Sequence, residues 1–138
     1  MSDTPPAPIA CERPERLHRY ETAVADSIRW DSYRPRPGDI IVVKRHWGAF
    51  TGTELDLQLR RRGVTQIVLA GISTSIGVES TARSAYDYGY HVVLITDAMT
   101  DRSDEAHRHS AEQIFPRLGE TDTTENVLKF LRKAAARS

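Results

Sequence analysis

Residues 67–90 read IVLAGISTSIGVESTARSAYDYGY. An aliphatic run, residues 67–72, gives way to small residues and then to a stretch in which Val78, Thr81, Ala82 and Ala85 recur at helical spacing. That change of period predicts a strand, a tight turn and a helix from about Gly77 that ends near Gly89. A strand-to-helix turn gathers several backbone N–H groups at one point, with the positive end of the helix dipole behind them. Such a corner suits a nucleophile beside an oxyanion pocket, and Gly77 stands where that nucleophile would be. The alternative is plain: glycine is acceptable at a helix start and needs no chemical role.

Working outward, the same alternation continues on both sides. Residues 40–44 (IIVVK) and 91–96 (HVVLIT) read as further strands, and helices are expected from Thr53, from Ser103 through Ile114 and Phe115 to a stop at Pro116, and from Thr123 with Val127, Leu131 and Ala134 on one stripe. Thr53 and Asp56 have capping-box spacing, and Gly63 sits where a left-handed helix end belongs. Continuous aliphatic strands alternating with helices mean an α/β fold with a parallel sheet covered on both faces. Arg60, Arg61 and Arg62 read as a solvated last helical turn.

Ahead of residue 39 the composition shifts. Of the seven prolines, Pro5, Pro6, Pro8, Pro14, Pro35 and Pro37 lie there among many charges, so residues 1–38 read as linker-like and residues 39–138 as the α/β domain. Residues 17–30 could add one helix of irregular apolar spacing. With 19 basic and 19 acidic residues the net charge is zero, which favours neither nucleic acid nor an anionic membrane as partner and leaves small molecules and protein surfaces. The 138 residues suffice for one core, no run reaches membrane-spanning length, and no secretory leader pattern opens the chain, so the cytoplasm is the expected location. The single cysteine, Cys11, cannot form an internal disulfide and reads as an exposed thiol.

The blocks VVKRHWGAFTGTEL (residues 42–55) and GISTSIGVESTAR (residues 71–83) resemble the isochorismatase-like family of cysteine hydrolases, which includes nicotinamidases and N-carbamoylsarcosine amidases. The resemblance implies a Rossmann-like sheet and a small-molecule substrate. It identifies Lys44 with the family's lysine and Gly77 with the position of its nucleophilic cysteine. A subgroup with KRxWGAF and GIxTxxGVESTAR blocks shares that glycine. The family's aspartate, in a run ending Asp-x-Gln on its first strand, has no counterpart before Lys44. The domain therefore looks N-terminally incomplete, lacking the family's first strands, which implies a late start, strands supplied by a partner, or compensation by residues 1–38, with a late start the preferred reading. A cis peptide ahead of Thr74, shaping the pocket, and self-association into a homo-oligomer are likewise implied.

Each candidate has a competing bland role. Lys44 could hold an anionic or carbonyl oxygen in the crevice, or be a surface lysine. Trp47 and Phe50 could wall an apolar pocket or a subunit contact, and Phe50 could equally be core. Ser73 and Thr74, with Ser75, Ser80 and Thr81, fit turn and capping hydrogen bonds better than a nucleophile elbow. Glu79 favours the helix dipole, with a partner role for Lys44 or a water-activating role as rival. His107 and His109 are two apart, about 200° around a helix, and His18, His46 and His91 lack partners at ligand spacing, so neither metal nor cofactor is expected. Three readings follow: a hydrolase-like protein without thiol chemistry, a non-catalytic small-molecule-binding or oligomer-forming module, and a truncated inactive fragment.

Overall fold

The computed structural model describes residues 36–137. The chain divides into two compact units, Met1–Val43 and Lys44–Ser138. In the described part of the first, Asp39 folds back on Arg36: its N–H donates to the Arg36 carbonyl at 3.0 Å and its carboxylate accepts from the Arg36 N–H at 2.7 Å. Residues 40–44, expected as a strand, form none. A strand exists only through its ladder bonds to a neighbour, and the described sheet pairs none of these residues. Ile41 and Val43 are accordingly exposed. The expected helix over residues 17–30 and Cys11 lie outside the described residues.

The second unit is an α/β layer. Helix α1, Leu55–Arg61, leads into strand β1, Gln66–Ile72. A π-helical turn, Thr74–Val78, opens helix α2, Glu79–Asp87, and strand β2, His91–Thr100, follows. Helix α3, Asp104–His109, runs through a second π-helical turn, Ser110–Ile114, into α4, Phe115–Leu118. The short strand β3, Glu120–Asp122, and helix α5, Thr124–Ala135, complete the unit. The strands lie in the order β1-β2-β3, all parallel. Leu69 faces Leu94 but Gly71 faces Met99, so the β1–β2 register breaks there, where Gly71 adopts a φ of 134°.

Both helices that return to the sheet end alike. Beyond α1, the Gly63 N–H donates to the Arg60 carbonyl and the Val64 N–H to Leu59; beyond α2, Gly89 donates to Tyr86 and Tyr90 to Ala85. These are paired Schellman closures, with glycine supplying the left-handed residue. Ala82 and Ala85 are fully buried, so α2 lies close on the sheet, and Phe50, Val78, Tyr90, Val92, Leu94 and Phe115 fill the core around them.

Three local expectations are corrected. The Thr53–Asp56 capping box does not form: Thr53 accepts from the Leu55 N–H and donates to Ala49, while Asp56 is taken by Arg60 at 3.1 Å and by the Tyr90 hydroxyl at 2.6 Å. Arg60, Arg61 and Arg62 are exposed, as a solvated helix end should be, and Arg60 in addition donates to the Tyr88 carbonyl at 2.8 Å and lies 5.0 Å over the Tyr90 ring. Pro116 does not stop a helix; it is the second residue of α4, in the first turn, where its missing N–H needs no partner. On α5 only Val127 is buried, with Leu131 and Ala134 exposed. Strand β3, with the sequence ETD, carries no apolar pattern that predicts a strand.

Gly119, which ends α4, lies against the Val92 carbonyl so closely that a Cβ would overlap it. Gly119→Ala is expected to lower stability by about 1–3 kcal/mol through forced backbone displacement. Gly48→Ala, whose Cβ would meet Ser80 at 3.5 Å, is the comparison expected to change less. Urea denaturation decides; equal midpoints for the two variants would contradict the contact.

Candidate functional site

The carboxyl end of β1 turns through a cis peptide at Ile72–Ser73, ahead of Thr74 as the family resemblance implies. Three amides of the turn are occupied. The Ile76 and Val78 N–H groups both donate to the Ser73 carbonyl, at 3.2 and 3.1 Å, and the Ser75 N–H donates to Asp101 at 2.7 Å. Gly77 lies within this turn. A methyl group grafted onto it would stand 3.3 Å from Lys44 Nζ, 3.5 Å from the Trp47 carbonyl and 3.6 Å from the Ile72 carbonyl. Lys44 Nζ itself donates to the Trp47 carbonyl at 2.7 Å. The ammonium group therefore caps the spot over the bare α-carbon of residue 77.

The loop that holds Lys44 is fastened to α2. Thr81 Oγ1 donates to the Gly77 carbonyl at 2.7 Å and accepts from the Ala49 N–H at 3.0 Å, so one hydroxyl bridges loop and turn. Phe50, the next residue, is buried against Tyr88 and Tyr90 with ring centroids 5.4 and 5.8 Å away. A groove of about 340 Å³ runs from Lys44, Gly77 and Ile72 along β1 toward Phe50, Leu59 and Ile67. Its walls are mostly apolar, and Lys44 supplies the only ionic group among the residues lining it.

The remaining candidates lie elsewhere around the turn. Trp47 contributes its carbonyl to the corner, is 69 % exposed, and lines a separate cavity of about 400 Å³. Glu79 accepts from the Ser110 hydroxyl at 2.9 Å and pairs with Arg83 at 3.2 Å. It opens on a polar cavity of about 670 Å³ that neither Lys44 nor Gly77 lines. Thr74 is fully buried and shares a 2.7 Å hydrogen bond with His107 Nδ1, which ties the turn to α3. The Ser73 hydroxyl is buried.

Asp101, just past β2, has no signal in the sequence except its place after a strand. Burial alone would raise its carboxyl. The Ser75 hydroxyl at 2.6 Å, the Ser75 N–H and the Arg102 N–H overcome this and hold it down at about 2. Among the described residues no group of three His, Cys, Asp or Glu side chains could hold a metal ion, and no helix is long and apolar enough to cross a membrane.

The fold and the strand–turn–helix corner define the class, and the chain belongs to the isochorismatase family: the isochorismatase domain matches residues 22–126. That match reaches further toward the N-terminus than the sequence blocks that first suggest it. The chain is 55% identical over 107 residues to the uncharacterized isochorismatase family protein YwoC of Bacillus subtilis, covering 75% of this chain and 57% of that protein. It is 33% identical over 104 residues to the ureidoacrylate amidohydrolase RutB of Variovorax paradoxus, covering 75% and 41%. Among solved structures, an isochorismatase family protein from Burkholderia thailandensis matches with a TM-score of 0.67 at 46% identity, over 89% of this chain and 59% of that one. The nicotinamidase PncA from Bacillus subtilis matches with a TM-score of 0.57 at 33% identity, over 59% and 45%. The chain thus spans about half the length of the curated relatives it matches.

The depressed Asp101 carboxyl sets an acid-stability prediction. A carboxylate held at about 2, against an ordinary 3.8, stabilises the fold above pH 4, and that contribution is lost as pH falls from about 4 toward 2. Thermal melts across that window should show the unmodified chain losing stability more steeply than Asp101→Asn. Parallel acid limbs would contradict the role given to Asp101.

Proposed function

We propose that the Lys44–Gly77 corner binds a small metabolite through a carbonyl or carboxylate oxygen, and that any hydrolysis it supports proceeds without a thiol. The observation that carries this reading is the 3.3 Å approach of Lys44 Nζ to the point where a side chain at residue 77 would begin. In the family that point holds the nucleophilic cysteine, so here a cationic donor is retained and the attacking sulfur is not. Relatives named as nicotinamidase and ureidoacrylate amidohydrolase favour an amide as the substrate class.

The chemistry then runs by direct water attack. Water oxygen bonds to the amide carbon while Lys44 and the Gly77 N–H stabilise the oxygen that becomes negative. The C–N bond breaks and the water proton passes to the departing nitrogen, giving acid and amine. Loss of a covalent nucleophile costs roughly a millionfold and leaves on the order of 10³ to 10⁴ over water from the surrounding pocket. A slow reaction is therefore the expectation. A second reading, a non-catalytic binding module, is favoured by the occupied amides of Ser75, Ile76 and Val78, which leave fewer donors for an oxyanion.

Incubation of the full chain with a panel of amides, imides and vinyl ethers tests the proposal. Turnover should survive iodoacetamide and Cys11→Ser, and should fall at least about tenfold in Lys44→Met. Activity abolished by alkylation, or unchanged without Lys44, would overturn it. Ligand-induced melting shifts that require Lys44 but yield no product would select the binding module.

A further inference from the structure

The cavity on the other side of Trp47 has a composition of its own. Arg45, His46, Thr51, Ser80 and Ser84 surround it with the Trp47 side chain, and none of its lining residues is a carboxylate. In a chain with 19 acidic residues, a pocket with a guanidinium, an imidazole, three hydroxyls and no acid is a place where negative charge meets only donors. Trp47, 69 % exposed, brings an indole to those donors. At about 400 Å³ the space lies within the range of small-molecule sites.

This loop is anchored on both flanks. Its carbonyl at Trp47 accepts from Lys44 Nζ at 2.7 Å, and two residues later Ala49 is held by Thr81 at 3.0 Å. Gly48 between them is buried and lies within 3.5 Å of Ser80 were it to carry a Cβ. The Trp47 backbone thus has little freedom, and the indole stands beside a fixed row of α2 hydroxyls. Residue 47 consequently faces two ways, with its backbone at the Lys44–Gly77 corner and its side chain at the donor-lined cavity.

We propose that this cavity is a binding site for a planar carboxylate, with Arg45 gripping the carboxylate and Trp47 stacking on the planar body. A planar guanidinium fork matches a carboxylate in two parallel hydrogen bonds, which an ammonium group cannot reproduce. The anion site stands on its own geometry. Its extension, that the metabolite handled at the corner carries such a carboxylate, rests on the reading of Lys44 and Gly77 given above.

The test uses the full chain with Trp30→Phe, which leaves Trp47 as the sole tryptophan of two. Sodium benzoate should quench its fluorescence saturably, while benzyl alcohol, the same ring without the charge, should not. Arg45→Gln should weaken benzoate binding at least about tenfold, as loss of a charge-assisted pair requires, and Arg83→Gln, which removes a guanidinium from the separate cavity beside Glu79, should leave it within about twofold. Isothermal titration of Trp47→Ala with benzoate should show a comparable loss. Equal binding of benzyl alcohol, or indifference to Arg45→Gln, overturns the proposal. Benzoate binding that depends on Lys44 alone also overturns it while leaving the corner's function intact. A quench that grows with protein concentration and ignores benzoate marks a contact between copies, and overturns it as well.

Discussion

One ammonium group organises the corner. Lys44 donates to a carbonyl only three residues ahead, that of Trp47, and thereby closes a tight loop over Gly77. The closure holds because the loop is tied down further along. Thr81 reaches from α2 to both Ala49 and Gly77, and Phe50 is sunk among Tyr88 and Tyr90. A flexible lysine stem loses much rotamer freedom when ordered, so its position depends on these attachments as much as on its own bond. Under the proposed reading, glycine at residue 77 lets the Lys44 ammonium settle over the α-carbon at the end of the groove, which is a binding arrangement before it is a catalytic one.

Much of this was legible in the chain. The β1 and β2 runs, the α2 face of Val78, Thr81, Ala82 and Ala85, the turns at Gly63 and Gly89, and the caps at Ser103 and Thr123 all follow from local period and local chemistry. The family followed from blocks that lie in the right order, and the domain match over residues 22–126 shows it. Failures came where a partner distant in sequence took over a residue. Asp56 has capping-box spacing, yet Tyr90, 34 positions on, claims its carboxylate. Pro116 reads as a stop because local rules see only its missing N–H, whereas the turn before it relieves that constraint. Residues 40–44 have strand composition but no ladder among the described residues, and composition cannot supply a neighbour.

The surroundings of the turn illustrate the same divide. Asp101 and His107 seize Ser75 and Thr74 across gaps of 26 and 33 residues, and nothing in either stretch announces the pairing. These bonds stiffen the side of the turn away from Lys44, and Glu79 joins them through Ser110. The turn therefore has a polar, hydrogen-bonded flank, on which only the buried Ser73 hydroxyl is without a partner among the described residues, and a largely apolar flank with one cation. That asymmetry separates residues that hold the corner from residues that face a ligand.

The position of the Lys44 ammonium over residue 77 is open to direct measurement. A thiol introduced by Gly77→Cys, in a Cys11→Ser background, can be titrated through its thiolate absorbance with and without Lys44→Met. The Lys44 ammonium, 3.3 Å from where the Cβ of that cysteine would begin, favours the thiolate, so the midpoint should fall below the ordinary value of about 8.5 and return toward it when Lys44 is replaced. Identical midpoints in the two backgrounds would contradict the placement of Lys44 over that carbon.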